Sequence, residues 1–253
     1  MTHGIRIAQV REARRITPTM QRVTLCGPEL RDFSLPPGAI APHVKLLIPP
    51  VDMEPVWPKL TSNGRLTAHN CTTRTYTVRN HRPEAGEIDV DFVLHGDEGI
   101  ASRWAARACK GDRVGIWERS PAILGQHSWF LFLGDQTAIP GIGQAVEVLP
   151  SSAHAVAIIQ IDSMEDKLDF QSAAELDVLW TIKSQKHALL DTIQSHSWLA
   201  TRRPFIWVGV EAGVARPIRN YLRQLPSLNR SDFSVVNYWK HGVPETSIAS
   251  DAE

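Results

Sequence analysis

The chain has 253 residues, 43% of them hydrophobic, with 27 basic and 27 acidic side chains, so it can bury one large core or two modest ones and has no net charge that calls for nucleic acid. Its longest apolar runs, residues 129–134 and 155–161, fall far short of the roughly 20 residues that span a bilayer, and Met1 to Arg6 lacks the apolar core of a secretory signal. Cys26, Cys71 and Cys109 are far apart with no CxxC pair, and the histidines form no HExxH, which argues against a disulfide framework and a resident metal.

These features predict a cytoplasmic protein with no stable membrane insertion. Residues 1–125 hold 17 basic and 13 acidic side chains and residues 126–253 hold 10 and 14, so the halves are +4 and −4. Such asymmetry fits either different partners for the two halves or the ordinary solvated faces of two domains.

In the first half, short apolar runs at 21–26, 44–48, 75–79, 88–94 and 113–117 alternate with turn residues, the spacing of an antiparallel barrel or sandwich. Ile88, Val90 and Phe92 alternate with Asp89 and Asp91, which predicts one apolar and one acidic face. Residues 50–70 are rich in proline and polar side chains and read as a long loop. A helix is expected from Ala101 and Ser102 onward, with Trp104, Ala105 and Ala108 on one face.

From residue 126 the pattern changes to strands at 129–133, 155–161, 178–182, 205–210 and 233–238, separated by helices near 142–149, 186–196 and 212–225. Apolar strands alternating with helices predict a covered parallel sheet, with a nucleotide crevice at the strand C-termini. The expected division is therefore a barrel domain over 1–125, an α/β domain over 126–242 and a polar tail over 243–253.

Two segments carry candidate chemistry. In Arg74-Thr75-Tyr76-Thr77-Val78-Arg79, strand alternation puts Arg74 and Tyr76 on one face and Thr77 on the other. A guanidinium there can fork onto a phosphate, and a phenol ring can pack on a flat heterocycle. Taken alone, the same pattern describes an ordinary exposed strand. The second segment, His95-Gly96-Asp97-Glu98-Gly99-Ile100-Ala101-Ser102, leads from a strand into a helix through small residues, so its amides can approach a diphosphate; it reads equally as a turn with Ser102 as N-cap.

Together these segments resemble the FAD-binding domain of the siderophore-interacting protein family, NAD(P)H-dependent ferric-siderophore reductases. The likeness runs through RxYT, DFVLHG, GxAxxWA and the turn Gly111-Asp112. It continues with Gly134-Asp135-Gln136-Thr137-Ala138, Gly209-Val210-Glu211-Ala212, Arg216 and Arg219, and Asn237-Tyr238-Trp239-Lys240-His241-Gly242, from about Ile7 to Gly242.

The resemblance implies a two-domain ferredoxin-reductase-like fold, an N-terminal antiparallel Greek-key β-barrel for FAD and a C-terminal α/β nucleotide-binding domain with a parallel sheet. It implies non-covalent FAD, NADPH or NADH as donor, a ferric siderophore as substrate, a monomer, and no nucleic-acid partner. Arg74, Tyr76, Thr77, Val78, His95, Gly96, Ala101 and Ser102 would meet FAD. Asp135, Thr137, Ala138 and Glu211 would shape the nicotinamide site, although Thr137 ahead of Pro140 also reads as a helix cap. Lys45, Arg119 and Lys240 would hold an anionic chelate, and no general acid, base or metal ligand is implied.

The chain departs from the family at Trp117-Glu118-Arg119-Ser120-Pro121, where a Gly-Pro-Arg-Gly-Ser turn is usual, and at Ile100, where proline is common. Val210 stands in place of a glycine, an exchange expected to crowd the dinucleotide. Asp162 and Asp166 disfavour a 2′-phosphate, while Lys183, Lys186 and Arg216 favour one. Two rival readings remain: a flavin reductase acting on another acceptor, and a non-catalytic flavin- or chelate-binding module.

Overall fold

Period-two alternation on the first half's strands and continuous apolar runs on the second half's strands produce two different sheets. The computed structural model describes residues 4–63, 65–95, 99–118, 121–125, 127–183, 188–195 and 202–243. The chain divides into two compact units, Met1–Ile123 and Leu124–Glu253.

The first unit contains β1 (Ile5–Thr17), β2 (Met20–Cys26), β3 (Ala39–Ile40), β4 (His43–Ile48), β5 (Thr72–Thr77), β6 (Asn80–Arg82) and β7 (Glu87–Val93). Helix α1 (Ile100–Arg107), β8 (Arg113–Glu118) and β9 (Ala122–Ile123) follow. Seven strands form one antiparallel sheet in the order β5-β4-β8-β1-β2-β7-β6. Its ends approach each other: Tyr76 of β5 packs on Phe92 of β7, and the Arg79 amide donates to the Asp89 carbonyl at 2.8 Å. The curled sheet encloses Val10, Val23, Leu25, Val44, Leu46, Val90, Phe92 and Ile116, with Ala101 and Ala105 of α1 packed into the same core.

The acidic face expected on β7 is not solvated. Glu87, Asp89 and Asp91 are all buried, because arginines from the flanking strands β2 and β6 and from β1 cover them. Arg22 pairs with Asp91, Arg82 with both Asp89 and Glu87, and Arg11 with Glu87. The RxYT strand is also shifted, running over Thr72–Thr77. The Val78 amide still donates to the Pro42 carbonyl at 2.7 Å, in register with β4, but proline has no N–H to return the bond.

The second unit contains β10 (Trp129–Asp135), α2 (Ile139–Glu147), β11 (His154–Ile161), β12 (Glu175–Ile182), α3 (Ala188–Ser195), β13 (Phe205–Glu211), α4 (Ala212–Gln224) and β14 (Phe233–Trp239). The five strands pair in parallel in the order β12-β11-β10-β13-β14. Leu131, Leu133, Ile158, Ile206 and Val208 pack under Leu189 and Ile193 of α3 and Ala215, Ile218 and Leu222 of α4. Gly134 and Gly209 keep the strand ends bare where the following turn closes on them. A Cβ on Gly134 would lie 2.5 Å from Ala138 Cβ and 2.8 Å from Ile142 Cδ1, and one on Gly209 would lie 2.6 Å from the Trp207 ring. No helix among the described residues is long and apolar enough to cross a membrane.

Candidate functional site

The register between β4 and β5 decides which candidate residues share a face. Arg74 lies opposite Leu46 and Tyr76 opposite Val44, whereas Lys45 lies opposite Thr75 on one side and Trp117 on the other. Directly paired residues point the same way, so Arg74 and Tyr76 take one face and Thr77, Lys45 and Trp117 the other. Tyr76 is half-buried, its ring 4.3 Å from that of Phe92, and Phe92 in turn lies 5.7 Å from Trp104. Thr77 is buried. Val78 is fully buried in the barrel core with its amide spent on Pro42, which leaves only its carbonyl for a ligand.

The Arg74 guanidinium makes one hydrogen bond among the described residues, from Nη1 to the Thr73 carbonyl at 2.8 Å, so most of its donors remain available to a phosphate. Helix α1 starts at Gly99 with no side chain capping it, and its first amides are the donors that a helix leaves open. Ser102 is therefore not the N-cap; its Oγ accepts from the His95 amide at 3.3 Å. The His95 ring lies against Gly99, where an added Cβ would sit 2.5 Å from Cε1. Ala101 and Ser102 keep the start of the helix small. An open guanidinium, an uncapped helix start and a half-buried aromatic ring fit the diphosphate and flat ring system of FAD. Gly96 lies outside the described residues.

In the second unit the strand ends are cross-linked by two carboxylates. Asp135 Oδ1 accepts from the Thr137 amide at 2.9 Å and from the Thr137 hydroxyl, while Oδ2 accepts from the Glu211 amide at 3.0 Å and Trp239 Nε1 at 2.9 Å. Removal from water pushes the Asp135 carboxyl pKa up, and these four bonds offset that only in part. Asp135, not Thr137, caps the turn Gln136–Ala138 that leads into α2. Glu211 caps α4 through the Gly213 amide and accepts from the His241 amide at 3.2 Å. Ala138 is fully buried between the two glycines and fixes the turn.

Several expectations change here. Val210 does not crowd the crevice: it is 1% exposed and packs in the core beneath α3 and α4. Asp166 is 0% exposed and is therefore not an open charge facing a 2′-phosphate. Arg219 braces β14, with Nη2 donating to the Val235 carbonyl at 2.9 Å and to Asn237 Oδ1 at 3.2 Å. Trp239 joins the site through Asp135, and the Lys183 ammonium lies 5.6 Å from its ring centroid. Sequence reasoning used Trp239 only as part of a motif; its position at the end of an edge strand beside Lys240 was the available signal. Lys240 makes an isolated bridge with Val243, and Arg119 and Lys186 lie outside the described residues.

An antiparallel barrel unit with a flavin-compatible strand and turn, followed by a parallel α/β unit, defines a ferredoxin-reductase-like fold. A ferredoxin-NADP+ reductase from Plasmodium falciparum shares it with a TM-score of 0.63 at 9% identity, covering 93% of this chain and 95% of that one. Residues 9–121 match the siderophore-interacting FAD-binding domain, and residues 127–242 match the siderophore-interacting protein model. The chain belongs to the siderophore-interacting protein family. It is 26% identical to the ferric vibriobactin reductase of Vibrio cholerae over 249 residues, covering 91% of this chain and 87% of that protein. A siderophore utilization protein from T. fusca superposes with a TM-score of 0.85 at 27% identity, covering 100% of this chain and 98% of that one.

Proposed function

We propose that this protein is a FAD-containing reductase that passes electrons from NADPH or NADH to a ferric siderophore and so releases Fe(II). The observation that carries this reading is the open Arg74 guanidinium on the same face of β5 as Tyr76, in a unit whose α1 begins uncapped. The family match and the similarity to a ferric vibriobactin reductase support the choice of acceptor.

In this reading residues 1–125 form the FAD domain and residues 126–242 the nucleotide domain. Arg74 grips the FAD diphosphate through charge-assisted bonds, and the start of α1 at Gly99, Ala101 and Ser102 adds backbone donors. Tyr76, backed by Phe92, orients the ring system; Thr77 and His95 border it. Bound FAD supplies the link between a two-electron nicotinamide donor and a one-electron iron acceptor. Asp135, Thr137, Ala138 and Glu211 hold the crevice in shape, their side chains bonded or packed within the chain rather than offered to a ligand. The family resemblance favours NADPH as donor, while the charges divide: Asp166 is buried, but Asp162 is exposed, as are Lys183 and Arg216.

Lys45, Arg119 and Lys240 supply positive charge for an anionic chelate, and reduction frees the metal because hard oxygen donors hold Fe(II) less tightly than Fe(III). Anaerobic reduction of the flavoprotein by NADPH, followed by reoxidation with a ferric siderophore, tests the reading.

A further inference from the structure

Lys240 sits between two residues that are each tied to an acid of the nucleotide crevice. On its N-terminal side, Trp239 donates its indole N–H to Asp135 Oδ2 at 2.9 Å. On its C-terminal side, the His241 amide donates to Glu211 Oε1 at 3.2 Å. Lys240 itself opens a tight turn: its carbonyl accepts from the Val243 amide at 3.1 Å, and Gly242 supplies the positive φ of 69° that the turn requires. Its ammonium makes no hydrogen bond or ion pair with the described residues. Asp135 and Glu211 belong to the Gly-Asp-x-Thr-Ala and Val-Glu-Ala motifs, and both oxygens of each carboxylate accept hydrogen bonds from neighbouring backbone or side-chain donors.

We propose that Asp135 and Glu211 are positioning residues for Lys240: they clamp its two neighbours and so fix the backbone from which its ammonium meets an anionic ferric chelate. The inference rests on the reading of Lys240 as a chelate-binding residue and assigns the two crevice acids a task in substrate recognition. A lysine is a compact charge on a long flexible stem, and anchoring the base of that stem reduces the freedom lost when the charge engages a ligand. Acceptors that carry charge make such anchors stronger than neutral ones. The Trp239 ring, with Lys183 over it, adds a second hold on the same segment.

The test uses Trp239→Phe in the FAD-loaded full chain, a change that keeps an aromatic ring at this position but removes the N–H donated to Asp135 together with the rest of the indole. Binding of a triply negative ferric tris-catecholate and a neutral ferric tris-hydroxamate is followed by quenching of flavin fluorescence. The measurements are repeated in Lys240→Ala and in the double variant, and hydrogen exchange is recorded over residues 237–243.

The proposal expects Trp239→Phe to weaken the anionic chelate by about threefold to tenfold, the scale of coupling between residues in one network. The neutral chelate is unaffected, the double variant matches Lys240→Ala alone, and the His241 amide exchanges faster. Unchanged anionic binding in Trp239→Phe, an equal loss for both chelates, or a loss that adds to that of Lys240→Ala overturns the positioning role while leaving Lys240 itself in place. A Lys240→Ala variant that binds both chelates normally removes Lys240 from the site, and the clamp's proposed task with it.

Discussion

The phenol ring of Tyr76 rests on Phe92 with 4.3 Å between ring centroids, and this contact joins the candidate flavin strand to the barrel core. Tyr76 is thus a packing residue as well as the proposed flavin-facing one. Tyr76→Ala is expected to lower stability by about 1–3 kcal/mol, less than a fully buried aromatic would cost, and to weaken flavin retention. Tyr76→Phe keeps the packing and the flavin. Thermal unfolding and the visible flavin absorbance of the purified variants check both effects; a Tyr76→Ala protein with unchanged flavin content would remove the residue from the site.

Arg74 contributes little to the barrel, since its guanidinium bonds only its neighbour's carbonyl among the described residues. Arg74→Ala is expected to weaken FAD by about 1.5–3 kcal/mol, roughly tenfold or more in affinity, with the unfolding midpoint of the apoprotein unchanged. Fluorescence titration of the apoprotein with FAD measures it, and a wild-type affinity would place the diphosphate elsewhere.

Burial alone would raise the Asp89 pKa, but the bonds from Arg82, Asn80 and Thr24 and the charge of Arg82 outweigh it and bring the carboxyl to about 2. Because the folded pKa lies below the ordinary value of 3.8, Asp89 stabilises the barrel fully above pH 4 and loses that contribution as the pH falls toward 2. Urea unfolding at pH 6 and pH 3 should show the gap between wild type and Asp89→Asn narrowing at the lower pH. A gap that stays constant would mean that the Arg82 pair does not set the carboxyl's ionisation.

Gly209→Ala places a Cβ 2.6 Å from the Trp207 ring and 3.2 Å from Ala138 Cβ. Overpacking of this kind costs about 1–3 kcal/mol, so the variant should unfold at a lower temperature and bind NADP+ more weakly. Calorimetry and a nucleotide titration test this; an unshifted unfolding transition would show that the turn after β10 adjusts without cost.

The sequence made the strand–helix alternation of residues 129–239 legible, because buried parallel strands read as unbroken apolar runs flanked by turn residues. The location of α1 was legible for a similar reason, the small residues at its start. Strand β1 was not read: its charged run Arg11-Glu12-Ala13-Arg14-Arg15 and the register shifts at Val10/Glu12 and Arg15/Thr17 break the period-two signal. The acidic face of β7 was legible, but not its burial, because the arginine partners come from β1, β2 and β6, a pairing that only tertiary structure creates. Asp135 and Glu211 were legible as candidate site residues, but their bonds to Trp239 and His241 depend on how β14 ends beside β13, one strand beyond β10.

The most direct measurement of the central claim is anaerobic stopped-flow of the FAD-loaded protein, first with NADPH or NADH and then with a ferric siderophore. The account predicts that the oxidised flavin band bleaches on mixing with the nucleotide and returns as the ferric siderophore is added, with Fe(II) captured by a ferrous-specific chelator. A flavin that stays oxidised in both nucleotides, or a reduced flavin that ferric siderophores do not reoxidise, would contradict it.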